Sequence, residues 1–235
     1  MGATSGIGRE VALQLINEGV YVALAGRRVA LLQEIQDKWP SQVVCAQIDV
    51  TKSDAPAQLE ALIAQLGGMD CYIHVSGAGN YNPELEPEKE QIAVETNTLG
   101  FTRMIDTAFN WFVEHNQRGH IAAVTSIAGT KGLGAAPAYS ASKGFQNIYL
   151  DALDQQARFR KLPIRFTDIR PGFVDTDFLK GGHYPMLLKT EKVARKIVKA
   201  ILHRKRVCTI DWRYAIMVAL WRCLPLWIWR RLKVK

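Results

Sequence analysis

Residues 1–8 read MGATSGIG and run directly into the amphipathic stretch REVALQLINEG at 9–19, so a glycine cluster opens onto a helix. Glycines at 2, 6 and 8 make a turn in which a phosphate can approach backbone N–H groups at a helix N-terminus, where the partial positive charge favours an anion. In a doubly wound sheet such a turn hangs from the end of a buried strand. No apolar run stands ahead of Gly2, so the turn is expected to lack its own strand in the chain as it is written.

Beyond the turn, apolar runs alternate with longer amphipathic stretches. The runs are 20–26, 42–50, 70–77, 120–129 and 163–172; the stretches between and after them read as helices, the last being EKVARKIVKAILHRK. Strand and helix repeated in this way predict right-handed βαβ units, hence an α/β, doubly wound parallel sheet of Rossmann type with helices on both faces. The strand ends then carry AGRR, IDV, VSGAGN, TSIAG and RPGFVDT, which is where an open α/β sheet binds its ligand.

At 235 residues with 48% hydrophobic content, the chain can build a single domain with one sizeable core. Cys45, Cys71, Cys208 and Cys223 are scattered, and the five histidines show no metal spacing, so neither a disulfide framework nor a metal site is expected and a reduced cytoplasm fits. The net charge of +8 is uneven. Residues 1–188 carry 16 Lys+Arg against 20 Asp+Glu, whereas 189–235 carry 14 against 2. Residues 1–210 therefore read as the dinucleotide-binding and catalytic domain, and 211–235 as a basic, Trp-rich tail.

YSASK at 139–143 puts Tyr139 and Lys143 four residues apart on one helix face. An ammonium beside a phenol favours the phenolate and is expected to lower the Tyr139 pKa. Taken alone, the pair is a weak signal and reads as a solvated helix face. Ser126 ends the preceding strand, where it reads either as a donor to a substrate carbonyl or as a cap. In AGRR no carboxylate follows the second strand of the family pattern; Arg27 and Arg28 there suit a 2′-phosphate, with Arg27 the favoured contact, unless both are solvated at a helix start.

As an ordered set, GATSGIG, Asp49, Asn97 in ETNTLG, Ser126, YSASK and PGFVDT (171–176) resemble the short-chain dehydrogenase/reductase family. The resemblance implies a nicotinamide cofactor, NADP(H) favoured over NAD(H), and reversible hydride transfer between it and a carbonyl or alcohol. By position, Tyr139 resembles the general acid/base, Lys143 the residue that tunes it and holds the ribose, Ser126 the group that orients the carbonyl, and Asn97 the residue that positions a relay water. The cofactor contacts implied are Gly2, Thr4, Ser5, Gly6, Ile7, Gly8, Arg27, Arg28, Asp49, Val50, Gly77, Ala78, Tyr139, Lys143, Pro171, Gly172, Val174 and Thr176. Asp49 also reads as a cap before TKSDAP. SGAG at 76–79 departs from the family's Asn-Asn-Ala-Gly, keeping the backbone approach and losing the asparagine contacts. The family also begins with a strand before the glycine turn, and unmade hydrogen bonds around a missing central strand would cost about 1–3 kcal/mol each. About five to eight residues upstream of Met1 are therefore expected in a working enzyme.

The segment DFLKGGHYPMLLK resembles a substrate lid by position, with Phe178, Tyr184, Met186, Leu187 and Leu188 as a greasy inner surface; His183 reads as a substrate contact or an exposed loop residue. Together with the tail it suggests a lipophilic carbonyl substrate. The tail's run from Ala215 to Trp229 is broken by Arg222 and Pro225, so it suits a membrane interface rather than a span, or else packs on the domain or builds a dimer contact. The expected protein is thus a cytoplasmic homodimer or homotetramer, either free or peripheral at the membrane's inner face, with no nucleic-acid partner. The rival reading is a catalytically idle NADP-binding sensor or scaffold.

Overall fold

The computed structural model describes residues 1–79, 81–179 and 184–232. Among these, β1 (Val22–Gly26) pairs with β2 (Val43–Gln47), while β3 (Cys71–His74), β4 (Gly119–Val124), β5 (Ile164–Arg170) and β6 (Val207–Thr209) pair in that order, all in parallel. All six residues of β4 are buried, as a strand covered on both faces requires. Its alternation divides the core: Ile121 and Ala123 face one helix layer, Ala122 and Val124 the other.

The first layer holds α3 (Ala55–Leu66), α5 (Phe101–Glu114) and α6 (Pro137–Phe159), through Leu59, Leu62, Met104, Ile105 and Leu150. Opposite lie α1 (Gly6–Asn17) and α7 (Thr190–Leu202), meeting through Val11, Leu15, Val193 and Ile197. Outside these, α2 (Val29–Lys38) closes the end of the sheet with Leu32 and Ile35. The Rossmann-type α/β arrangement with helices on both faces is therefore present.

The sheet is divided into two hydrogen-bonded blocks at the seam between β1 and β3. Met1 bridges that seam: its N-terminal ammonium donates to the Ile73 carbonyl at 2.8 Å, and its carbonyl accepts from the Val75 amide at 2.9 Å. The Gly2 and Ala3 amides donate to the Ala25 carbonyl on the other side, at 2.8 and 3.1 Å. Burial lowers the Met1 ammonium pKa to about 5. Along the seam lies an apolar cavity of about 130 Å³ lined by Leu15, Ala23, Leu59, Met69 and Ile73 among others. Strand order reverses at this seam, so the crevice of the doubly wound sheet opens at the carboxyl ends of β1 and β3, where the glycine turn lies.

Two features of the C-terminal part are absent from the sequence reading. The three-residue β6 extends the sheet, and the tail forms α8 (Trp212–Cys223) and α9 (Leu226–Trp229). Tyr214, Val218 and Trp221 of α8 are buried against Ile127. Trp221 Nε1 donates to Thr130 Oγ1 at 2.9 Å, Lys131 Nζ donates to the Trp221 and Leu224 carbonyls, and Trp229 Nε1 donates to the Gly132 carbonyl at 2.8 Å. No described helix is long and apolar enough to cross a membrane.

His120 on β4 is buried, with Nε2 2.8 Å from Thr167 Oγ1; burial, with Arg204 nearby, lowers its pKa to about 4. A base whose folded pKa lies below its unfolded value stabilises the fold in its neutral form, so this contribution is complete above about pH 6.5 and is lost as pH falls toward 4. Denaturant titrations at a series of pH values are expected to show His120→Gln, which keeps a partner for Thr167 without titrating, losing stability less steeply over that window, by up to about 1.4 kcal/mol per pH unit. Parallel slopes for parent and variant would contradict this assignment.

Candidate functional site

The glycine turn is sterically exacting. Gly2 has φ +89°, and a Cβ there would lie 2.6 Å from the Ser76 amide nitrogen. A Cβ on Gly8 would lie 2.0 Å from the Gly2 carbonyl oxygen, so the turn closes onto α1 only with glycine at that position. Gly6 (φ +53°) faces the Thr176 methyl, and Ile7 packs into the α1–α7 layer. Ser5 stands at the N-cap in extended conformation, and its hydroxyl makes no capping bond. Instead Arg28 Nη2 donates to Ser5 Oγ at 2.6 Å and to Thr4 Oγ1 at 2.9 Å.

Arg28 therefore reaches the turn. It stands at the N-cap of α2, where its side chain folds back over the end of β1. Arg27 is exposed; its carbonyl accepts from Gln47 Nε2, and its charge acts on Asp49. A helix N-terminus without acidic residues in its first turn, two hydroxyls and a guanidinium make a cradle for an anion, and a glycine lets a dinucleotide pass close to the backbone. The residues present fit that group.

Asp49 Oδ1 accepts from the Thr51 amide at 3.1 Å and the Thr51 hydroxyl at 2.8 Å, so it closes the turn after β2, while Asp54 takes the N-cap of α3. Burial pushes the Asp49 carboxyl up, but the Thr51 bonds with Arg27 and Lys52 outweigh it and hold it below the ordinary range. Val50 is buried beside Gly100.

Asn97 lies in a π-helical turn (Glu95–Gly100) between α4 (Pro87–Val94) and α5, a local widening that re-aims the backbone. Its side chain clamps residue 78: Oδ1 accepts from the Ala78 amide at 2.9 Å, and Nδ2 donates to the Ala78 carbonyl at 2.6 Å and to Ser142 Oγ at 3.0 Å. The Asn97 carbonyl accepts from Gln146 Nε2 at 3.0 Å, and Gln146 Oε1 in turn accepts from Lys143 Nζ, also at 3.0 Å. Gln146 thus joins the lysine to the π turn. A Cβ on Gly77 would lie 3.4 Å from both Asn97 Oδ1 and Lys143 Nζ, and one on Gly79 only 2.2 Å from the Tyr139 ring.

Lys143 is buried, and Nζ also donates to the Val124 carbonyl at 3.2 Å. Burial lowers its pKa to about 8, with Asp168 opposing the drop. Asp168 accepts from Thr125 Oγ1 at 2.6 Å and from Arg170 Nε at 2.8 Å.

The Tyr139 phenol is hydrogen-bonded to Ser126. Ser126 is also the N-cap of a 3₁₀ turn (Ile127–Thr130), its Oγ accepting from the Ala128 amide at 3.0 Å, so the cap and the site readings of this residue hold together. The expected lowering of the Tyr139 pKa by Lys143 is overturned: burial raises it, and the Ser126 bond recovers part of the rise. Lys143 Nζ lies over the ring, 5.9 Å from its centroid, so its charge acts on the face of the phenol.

After β5, the Pro171 carbonyl accepts from the Ile127 amide at 3.1 Å. Gly172 admits the Tyr214 ring, which a Cβ would meet at 2.3 Å, and the buried Val174 bridges to Leu188. Thr176 lies against Gly6 of the glycine turn. Phe173 and Tyr184 rings sit 4.8 Å apart, Met186 and Leu188 pack against the Tyr214 cluster, and Leu187 is exposed. The Phe178 side chain and His183 lie outside the described residues.

Sequence reasoning missed Gln146 and Glu90. Gln146 follows Lys143 by three positions on α6, so its place on the same helical face was the available signal. Glu90 Oε2 accepts from the Ala138 amide at 2.9 Å and Oε1 from Asn82 Nδ2 at 2.8 Å, capping the helix that carries Tyr139. No sequence signal links it to a helix 48 residues away.

A family model described as short chain dehydrogenase matches residues 1–183. An uncharacterized oxidoreductase of Myxococcus xanthus is 33% identical over 232 residues, covering 95% of this chain and 90% of that protein. An NADP-dependent 3-hydroxy acid dehydrogenase of Salmonella typhi is 31% identical over 177 residues, covering 74% and 70% respectively. Among solved structures, a short chain dehydrogenase/reductase of Burkholderia phymatum in complex with NAD superposes with a TM-score of 0.81 at 20% identity, covering 93% of this chain and 90% of that one.

Because a methyl group on Gly8 cannot coexist with the Gly2 carbonyl, Gly8→Ala is expected to weaken NADPH binding, measured by fluorescence titration, at least about tenfold through lost backbone contacts. An unchanged affinity would show that the turn does not bind the nucleotide.

Proposed function

The chain belongs to the short chain dehydrogenase family and is an oxidoreductase of that type; from that premise we propose that it interconverts a lipophilic ketone and its alcohol with NADP(H). The observation that carries the reading is the Tyr139–Ser126 hydrogen bond standing beside the buried Lys143 ammonium. Bound nicotinamide supplies or takes up the reducing equivalent. What the chain contributes is orientation and protons.

Ser126 and Tyr139 offer two hydroxyls to one carbonyl oxygen, which gains negative charge during reduction and is stabilised by donors already aimed at it. Tyr139 then gives its proton to that oxygen. Lys143, held by the Val124 carbonyl and Gln146, keeps its ammonium over the face of the phenol ring beside the proton-donating hydroxyl. Asn97 fixes residue 78 so that the backbone from Gly77 to Gly79 runs flush against Lys143 and Tyr139. A site without chemistry has no need of this set, which disfavours the idle sensor or scaffold.

Preference for NADP(H) rests on Arg28 at the turn and on the absence of a carboxylate in Ala25–Arg28, where an acidic residue would hold a ribose diol. The apolar side chains of Phe173, Tyr184 and Met186 favour a lipophilic substrate. The reading includes a homodimer or homotetramer in the cytoplasm, attached peripherally to the membrane's inner face through the tail.

Tyr139→Phe is expected to lower NADPH oxidation with a probe such as 2-decanone by about 10²–10⁴-fold while nucleotide binding persists; parental turnover would refute the mechanism. Arg28→Ala is expected to weaken NADP(H) about tenfold or more and NAD(H) little, since one charge-assisted bond to a 2′-phosphate is lost. Equal weakening of both would remove the case for NADP(H).

A further inference from the structure

The tail helix α8 is apolar on two opposite faces, although only one of them meets the domain. Tyr214, Val218 and Trp221 point inward and are buried. Two positions before each of the first two, the stripe of Trp212, Ile216 and Leu220 runs along the outside, 69%, 52% and 66% exposed. Past Pro225, Leu226 and Trp227 are also exposed, 60% and 62%. A surface helix normally turns polar residues to solvent, so an outward stripe of three large apolar side chains, with two more exposed beyond Pro225, calls for an occupant.

Charge identifies that occupant. From residue 212 to the end there is no Asp or Glu, whereas arginines stand at 213, 222, 230 and 231. Arg213 is engaged by Asp211, but Arg222, Arg230 and Arg231 are exposed on the tail. Next to the start of α8 runs α7, linked through the Lys196–Asp211 contact at 3.8 Å, and its solvent face carries Lys192, Arg195 and Lys199. An isologous contact between two copies would bring this cationic surface against itself. A sheet of anionic headgroups over an apolar interior is complementary to both parts, because tryptophan and leucine enter the headgroup boundary while arginines meet the phosphates.

We propose that the outward face of α8 and α9 docks on an anionic lipid bilayer. The proposal rests on the reading of the tail as a peripheral attachment segment, and it is independent of the chemistry at Tyr139. The helix has two tasks. Its inner face buttresses the loop after Ser126 and the segment carrying Phe173 and Met186, so docking brings the mouth of the crevice to the lipid surface, where a lipophilic carbonyl compound partitions.

The test is co-sedimentation of the full chain with vesicles of phosphatidylcholine alone and of phosphatidylcholine carrying about one quarter phosphatidylglycerol. Expected are capture by the anionic vesicles, weakening as salt is raised, and a drop of at least about tenfold in the exposed triple variant Trp212→Ser, Ile216→Ser, Leu220→Ser. That variant is expected to keep the parental melting temperature and, without vesicles, the parental turnover of 2-decanone. Equal capture by neutral vesicles overturns the anionic-lipid proposal while leaving attachment standing, and capture by neither overturns both. Undiminished capture of the triple variant overturns the assignment to this face. Should the variant instead dissociate an oligomer that binds no vesicle, the face belongs to a second copy and the proposal falls. None of these outcomes bears on Tyr139→Phe, so the two readings fail separately.

Discussion

The Asn97 side chain is the knot from which the site is built. It bonds both backbone groups of Ala78 and the hydroxyl of Ser142, while its own carbonyl takes the Gln146 amide that also receives Lys143. Three separate segments are thereby fixed relative to one another: the end of β3, the π turn, and the first turns of α6. Each buried bond left unmade would cost about 1–3 kcal/mol, against a total stability of roughly 5–15 kcal/mol, so these few contacts decide the local order. The Asn97 carbonyl that takes the Gln146 amide lies within the π turn.

Around the knot, the molecule accepts electrostatic cost for position. A buried lysine is disfavoured in its charged form, and its pKa falls to about 8. Asp168 opposes that fall while being held by Thr125 and Arg170, so the cation is supported through a polar network in the floor of the sheet. The phenol of Tyr139 has been raised by the same burial. In this state Lys143 addresses the ring face, and Ser126 addresses the hydroxyl.

Much of this was legible in the sequence because the strongest signals are local. The five apolar runs became β1 to β5, and Ser126, Tyr139, Lys143 and Asn97 stand close together beyond their ends. What escaped depends on contacts between distant segments. Residues 95–100 read as ordinary helix, since widening to a π turn is imposed by Val50, Ala78 and Gln146 from elsewhere. β6 is three residues long and follows a basic turn, too short for any periodicity to register. The tie of Arg28 to the glycine turn escaped because adjacent residues at a strand end look alike until the backbone direction at the α2 N-cap is known. The helicity of the tail was hidden by apolar residues on both of its faces, which erases the one-sided pattern by which a surface helix is recognised.

The most direct test of the central claim is the steady-state turnover of Asn97→Ala with NADPH and 2-decanone, in a variant whose melting temperature stays near the parental value. Release of residues 76–79 and of the Gln146–Lys143 tie is expected to lower turnover about 10²-fold, as misplacement of about an ångström in a catalytic group does. Parental turnover in a folded Asn97→Ala protein would contradict the account, because the site would then be organised by something other than this knot.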